Sequence, residues 1–176
     1  MRRRRKERWM QAAAAALGGA LAICLLGLTE RSQLPLLMGS FGSSAVLVFG
    51  FPESGFCKPG RVIGAHVLCS AIGLAALHGL GPYWWAEGLS VGLCILAMLG
   101  MRLVHPPAGS NPLIVFALKA DWSYLLTPAL LGSVGLVTLV WLWQRLCPPA
   151  RETTAPEARL PRHSPTVPAQ AHPHQT

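Results

Sequence analysis

The chain has 176 residues, 52% hydrophobic and only 12% charged, with a formal net charge of +8. The charges crowd the ends and leave an apolar block from Trp9 to about Leu146, which excludes a soluble globular core and points to a multi-span membrane protein. The excess of arginine reads as a topology signal and an attachment to anionic lipid, not as a nucleic-acid footprint, because no base-reading motif accompanies it.

In chain order, residues 1–8 (Met1-Arg-Arg-Arg-Arg-Lys-Glu-Arg8) form a basic N-terminus expected on the cytoplasmic side. Trp9–Leu28 is span-length, and no small-x-small cleavage site precedes Thr29, so it reads as an uncleaved first span. Leu34–Phe51 is shorter and interrupted by Gly39, Ser40, Gly42, Ser43 and Ser44. Val62–Leu80 follows, with His66 one turn inside and His78 near its far end, and then Trp84–Met101. Leu103–Leu118 is broken by His105-Pro106-Pro107-Ala108-Gly109-Ser110-Asn111-Pro112. Leu125–Leu146 is the sixth apolar segment, and residues 147–176 form a Pro-rich tail expected to be disordered. The fold class is therefore all-α, with about six membrane segments in one membrane domain, residues 9–146.

Six segments satisfy the positive-inside rule. Lys58, Arg61, Arg102 and Arg145 then fall on the side of the basic N-terminus, while the other side holds Arg31 beside Glu30 and Lys119 beside Asp121. Four spans would place Lys58, Arg61, Arg102 and Lys119 outside. Both termini are expected in the cytoplasm of a cell with this protein in its inner (plasma) membrane.

An internal repeat supports two units, about 9–80 and 84–146. Gly42-Ser-Ser-Ala-Val-Leu-Val-Phe-Gly50 aligns with Gly109-Ser-Asn-Pro-Leu-Ile-Val-Phe-Ala117 at an offset of 67, with four of nine positions identical. Three segments per unit would invert the second unit relative to the first, as in many transporters.

Pro106, Pro107 and Pro112 lack backbone donors and push their predecessors out of the helical region. Such a break at membrane depth is tolerated only when buried in protein or lining a wet cavity. Ser110-Asn111-Pro112 reads as a helix start, and Ser43-Ser44 repeats it. Two half-helix starts facing each other would offer amides and a positive dipole end to a small anion. Ser43, Ser44, Gly109, Ser110 and Asn111, with His105 and His66, are accordingly the candidate substrate-binding residues. Gly39, Gly42, Pro106, Pro107 and Pro112 shape the motif, and the small residues also serve close helix packing. Intramembrane histidines are functional candidates by default, and His105 has no counterpart in the first unit, where Met38 stands. No zinc pattern occurs, no cofactor is implied, and no mid-span carboxylate stands by to make an enzyme of the serines and histidines.

Taken together, Gly39-Ser-Phe-Gly-Ser-Ser-Ala45, Lys58-Pro-Gly-Arg61 with Gly64-Ala-His66 and Ser70, His105-Pro-Pro-Ala-Gly109, and Trp122-Ser-Tyr-Leu-Leu-Thr-Pro128 with Gly132 resemble the HPP family of small integral membrane proteins. The resemblance covers roughly residues 9–146. It implies a membrane protein usually described as four-span, and links to nitrite movement across membranes. The expectation is a transporter or channel for a small inorganic anion, nitrite first, in a lipid bilayer, with homo-oligomerisation left open. The alternative is a non-transporting membrane subunit or scaffold.

Overall fold

The computed structural model describes residues 2–29 and 37–148, leaving aside the side chains of residues 2–5 and 8. The Glu30–Arg31 joint, the start of the second apolar segment and the tail from residue 149, with its three histidines, lie outside the described residues.

Among the described residues six α-helices form: α1 Arg2–Leu28, α2 Phe41–Gly50, α3 Pro59–Leu80, α4 Trp84–Gly100, α5 Asn111–Leu118 and α6 Leu131–Leu146. A 3₁₀ turn at Gly55–Cys57 precedes α3, a second at Pro106–Ser110 runs into α5, and a kinked segment at Leu125–Leu130, with Thr127 extended (φ −131, ψ 118) before a cis Pro128, leads into α6. Among the described residues three helical stretches are long and apolar enough to cross a membrane, namely Trp9–Leu28, Pro59–Leu80 and Leu125–Leu146. With 17 residues, α4 is slightly shorter. At 1.5 Å per residue, α2 and α5 reach only about 15 Å and 12 Å, half a bilayer core or less.

The two broken segments are thus shorter in helix than their apolar runs suggest. In the first, the helix begins only at Phe41, after the turn at Gly39–Ser40. In the second, Leu103–His105 is irregular, with His105 extended, and Pro106–Ser110 is 3₁₀, leaving eight α-helical residues. Pro106 sets the start of this: it cannot donate and holds His105 extended (φ −137, ψ 97), whereas Asn111 is helical (φ −59, ψ −41) even though Pro112 follows it, contrary to the expectation for that position.

The hub is α3. Pro59 sits in its first turn, where a missing N–H is harmless. Its buried face reads Val62, Ala65, His66, Cys69, Ser70, Gly73, Leu74, Ala76, Leu77, a helical stripe that packs on α4, α5, α6 and both irregular turns of the second half. Helix α4 buries only Ala86, Ser90, Cys94 and Met98, one narrow i, i+4 stripe. Its Leu89, Leu93, Leu96 and Leu99 stay exposed, as do Leu17, Leu21, Leu25 and Leu28 of α1, which fits surfaces meant for lipid.

Contacts fix which ends lie together. A Cβ on Gly18 would strike Trp143 and Phe49, and one on Gly135 would come 3.1 Å from Leu26, so α1 and α6 run antiparallel. Their outer ends, Arg2 and Leu146, therefore share one face of the molecule. At the opposite face His78 bonds the Ala120 carbonyl at 3.1 Å and stacks on Trp122. There Asp121 accepts from the Ser123 amide at 2.8 Å and from its hydroxyl, bonds that hold the carboxyl below its usual range. Helices α4 and α5 end on left-handed residues, Arg102 (φ 56) and Lys119 (φ 48), each followed by a bond back across the turn: Leu103 to Met98 and Ala120 to Val115.

Helix α5 docks on α3 through Gly73, where a Cβ would lie 2.8 Å from Pro112 Cα. Gly73→Ala should therefore lower the melting temperature in mild detergent, by about 1–3 kcal/mol of stability. Gly79→Ala on the same helix meets nothing within 4 Å and should leave the melting temperature unchanged or raise it slightly.

Candidate functional site

The broken segments and α3 bring four polar side chains together in the interior. Ser44 comes from α2, His66 from α3, His105 from the extended stretch before the 3₁₀ turn, and Asn111 from the first position of α5; all four are fully buried. Counting 1.5 Å per residue from Pro59, His66 lies about 10 Å inside α3.

Ser44 Oγ stands between the two rings, 3.0 Å from His66 Nε2 and 2.9 Å from His105 Nε2. His105 Nδ1 lies 2.8 Å from the Phe56 carbonyl. Asn111 Nδ2 lies 3.1 Å from His66 Nδ1, 3.0 Å from the His66 carbonyl and 3.0 Å from Ser70 Oγ. The rings of His66 and His105 are 5.2 Å apart between centroids, and Phe41 meets His66 edge-on at 5.0 Å.

These distances fix where each proton sits when both imidazoles are neutral. A carbonyl only accepts, so His105 must carry its proton on Nδ1 and offer a lone pair at Nε2. The single hydroxyl proton of Ser44 then goes to His105 Nε2. Towards His66 the Ser44 oxygen can only accept, so His66 is protonated on Nε2. That leaves His66 Nδ1 as an acceptor, filled by Asn111. The His66 carbonyl beside Nδ2 fixes the Asn111 amide, since the flipped amide would set two oxygens together. The bonds therefore run one way: Asn111 to His66 to Ser44 to His105 to Phe56. Every hydrogen-bond partner in this chain is neutral.

Two polar atoms near this chain are buried without a partner: Asn111 Oδ1 and Ser40 Oγ, one helical turn before Ser44. Against the Gly55–Cys57 turn, a cavity of about 460 Å³ opens between Val48, Glu53, Ser54, Cys57, Lys58 and Gln144. Arg61 Nη1 braces that turn on the Gly55 carbonyl at 2.8 Å.

Ser44, His66, His105 and Asn111 are thus gathered, while Ser43, Gly109 and Ser110 are not part of the network. The Ser43 hydroxyl bonds the Ser40 carbonyl at 2.9 Å and that of Ser110 bonds the Pro107 carbonyl at 2.8 Å. Neither hydroxyl caps a helix start. The physical reason is that both helices are entered through turns that use amides themselves: Phe41 on Met38, Ser44 on Ser40, and Asn111 on Ala108. Gly109 lies half-buried with Met98 as the nearest side chain, and Gly39 packs near Ile114. Gly42 is exposed with nothing close. Pro107 and Pro112 are buried, whereas Pro106 is exposed. Ser70 and the Phe56 carbonyl join the site without having been singled out for it. Ser70 follows His66 by four residues on a buried helical face, a signal that was there to use.

Removing the hydroxyl with Ser44→Ala strands a donor on His66 and an acceptor on His105. It should lower stability by about 2 kcal/mol or more in a detergent melt. Ser43→Ala loses one exposed local bond and should stay within about 0.5 kcal/mol of wild type.

The model of the family described as "HPP, transmembrane region" matches residues 4–153. A protein of Dictyostelium discoideum named as a transmembrane protein is 31% identical over 130 residues, 68% of this chain and 46% of its own length. A second Dictyostelium discoideum transmembrane protein is 30% identical over 129 residues, 68% of this chain and 42% of its own length. The chain thus spans less than half the length of these curated relatives. No solved structure matches it.

Proposed function

This chain belongs to the HPP transmembrane family, and from that premise we propose that it carries a small inorganic anion, nitrite first, across the membrane it spans. The observation that carries the reading is the buried pair His66 and His105, joined through Ser44 Oγ with no charged partner. Polar, titratable groups inside a membrane domain are expensive to keep there and mark solute or proton routes. A carboxylate in the network would suit a cation. Two imidazoles and an amide, with no fixed charge, suit a small anion whose charge is balanced by a proton.

The neighbouring geometry supports a route. The cavity beside Lys58 is separated from His105 by one short turn, whose Phe56 carbonyl is itself the His105 partner. Lys58 and Glu53 both line that cavity, so its wall offers a cation and a carboxylate side by side. In this reading the face that carries Lys58, Gln144 and the outer ends of α1 and α6 is the cytoplasmic face, and both termini lie there. The paired broken elements α2 and α5 fit the two-unit plan of many transporters. The choice of nitrite itself comes from the family resemblance.

A second reading has its own support: the four side chains are fully enclosed and nearly saturated with hydrogen bonds, which also describes a structural tie in a non-transporting subunit. Flux separates the two. Purified protein in liposomes should take up nitrite at least tenfold faster than empty liposomes, and His105→Ala or Asn111→Leu should remove most of that excess. Wild-type uptake equal to that of empty liposomes, for every small anion tried, would contradict the transport reading and leave the tie.

A further inference from the structure

The transport reading leaves open in which protonation state the solute passes, and the hydrogen-bond chain bears on that. Along Asn111, His66, Ser44 and His105 every nitrogen-bound proton is already committed. What remains beside the chain is Asn111 Oδ1, a fixed acceptor with no partner, and hydroxyls that can rotate. Ser40 Oγ is unpartnered, and Ser70 Oγ stands 3.0 Å from Asn111 Nδ2, whose two protons are shared among it, the His66 ring and the His66 carbonyl, so the Ser70 hydroxyl keeps its own proton to give. The titratable group that each imidazole faces in this network is the other imidazole, and no carboxylate, lysine or arginine takes part in it among the described residues.

A bare anion is poorly matched to that arrangement. It would meet the lone pairs of Asn111 Oδ1 with no cation to offset its desolvation. A neutral acid is well matched: its O–H donates to Oδ1, and its second oxygen accepts from a serine hydroxyl. We propose that the solute handled at Asn111 is a small weak oxyacid travelling with its own proton, so that this site admits nitrite- and formate-like solutes and rejects nitrate and chloride. This deepens the transport reading and rests on it. The anion takes up a proton on the entry side, crosses as the neutral acid with its O–H on Asn111 Oδ1, and releases the proton on the exit side. No net charge moves.

The test uses the full chain in liposomes loaded with a pH-sensitive dye, with the rates of empty liposomes subtracted. Nitrite, formate, nitrate and chloride are compared at external pH 7.5 and 6.5, values chosen for the assay. Nitrite and formate uptake should each acidify the interior and rise about tenfold over that one-unit drop, following the fraction of neutral acid. Nitrate and chloride should run at least tenfold slower. Asn111→Leu should lower the nitrite rate and narrow the nitrite-to-nitrate ratio, with a melting curve confirming that it is folded; the wild-type anion comparison decides the matter even if it is not. Nitrate or chloride moving as fast as nitrite, or nitrite flux that carries current and ignores pH, would overturn the proposal while leaving anion transport standing. No excess flux for any of the four would overturn both.

Discussion

A neutral imidazole has one donor and one acceptor, and inside a membrane neither can be left to water. That constraint organises the interior of this protein. Two histidines, His66 and His105, are fully buried, and each ring nitrogen has a neutral partner: Asn111, Ser44 or the Phe56 carbonyl. Burial without those partners would cost several kcal/mol per group. The four side chains come from four different elements, so satisfying the rings also ties those elements into one body.

The irregular parts of the fold follow from the same need. A continuous helix through residues 103–118 would have turned His105 and Asn111 by its own period. The break instead leaves Leu103–His105 irregular, with His105 held extended ahead of Pro106, and Pro106–Ser110 in a 3₁₀ turn, which sets His105 against Phe56 and Asn111 against His66. Gly73 lets Pro112 approach α3 closely enough for that bond. In the other half, α2 is short and begins at Phe41, which places Ser40 and Ser44 on one face, with Ser44 between the two rings. The long helices supply the frame, and α3 supplies the centre.

Much of the frame was legible in the sequence. Length and hydropathy located α3 and α4 to within a few residues and the ends of α1 and α6, because span-length apolar runs have few alternatives in a bilayer; α1 however starts earlier, at Arg2 within the basic stretch, and α6 later, at Leu131. The residues that meet in the network were also visible as oddities: histidines in apolar runs, a serine pair, an asparagine before proline. Their 67-residue repeat register even made Ser44 and Asn111 equivalents, and the two grip the same ring, Ser44 on Nε2 and Asn111 on Nδ1. What did not show was how the backbone amides are used. Side-chain preference at a helix start suggests Ser43 and Ser110 as caps, yet a preceding turn takes the amides and both hydroxyls fold back on carbonyls. The Phe56 carbonyl was also invisible, since a backbone acceptor carries no sequence signal.

The direction of the hydrogen-bond chain is the claim on which the proposed handling of solute depends, and nitrogen NMR of histidine-labelled protein in lipid tests it directly. At neutral pH the account predicts two neutral rings in opposite tautomers, His105 protonated on Nδ1 and His66 on Nε2, assigned by comparison with His105→Ala and His66→Ala. Both rings in the same tautomer, or either ring doubly protonated at neutral pH, would contradict it.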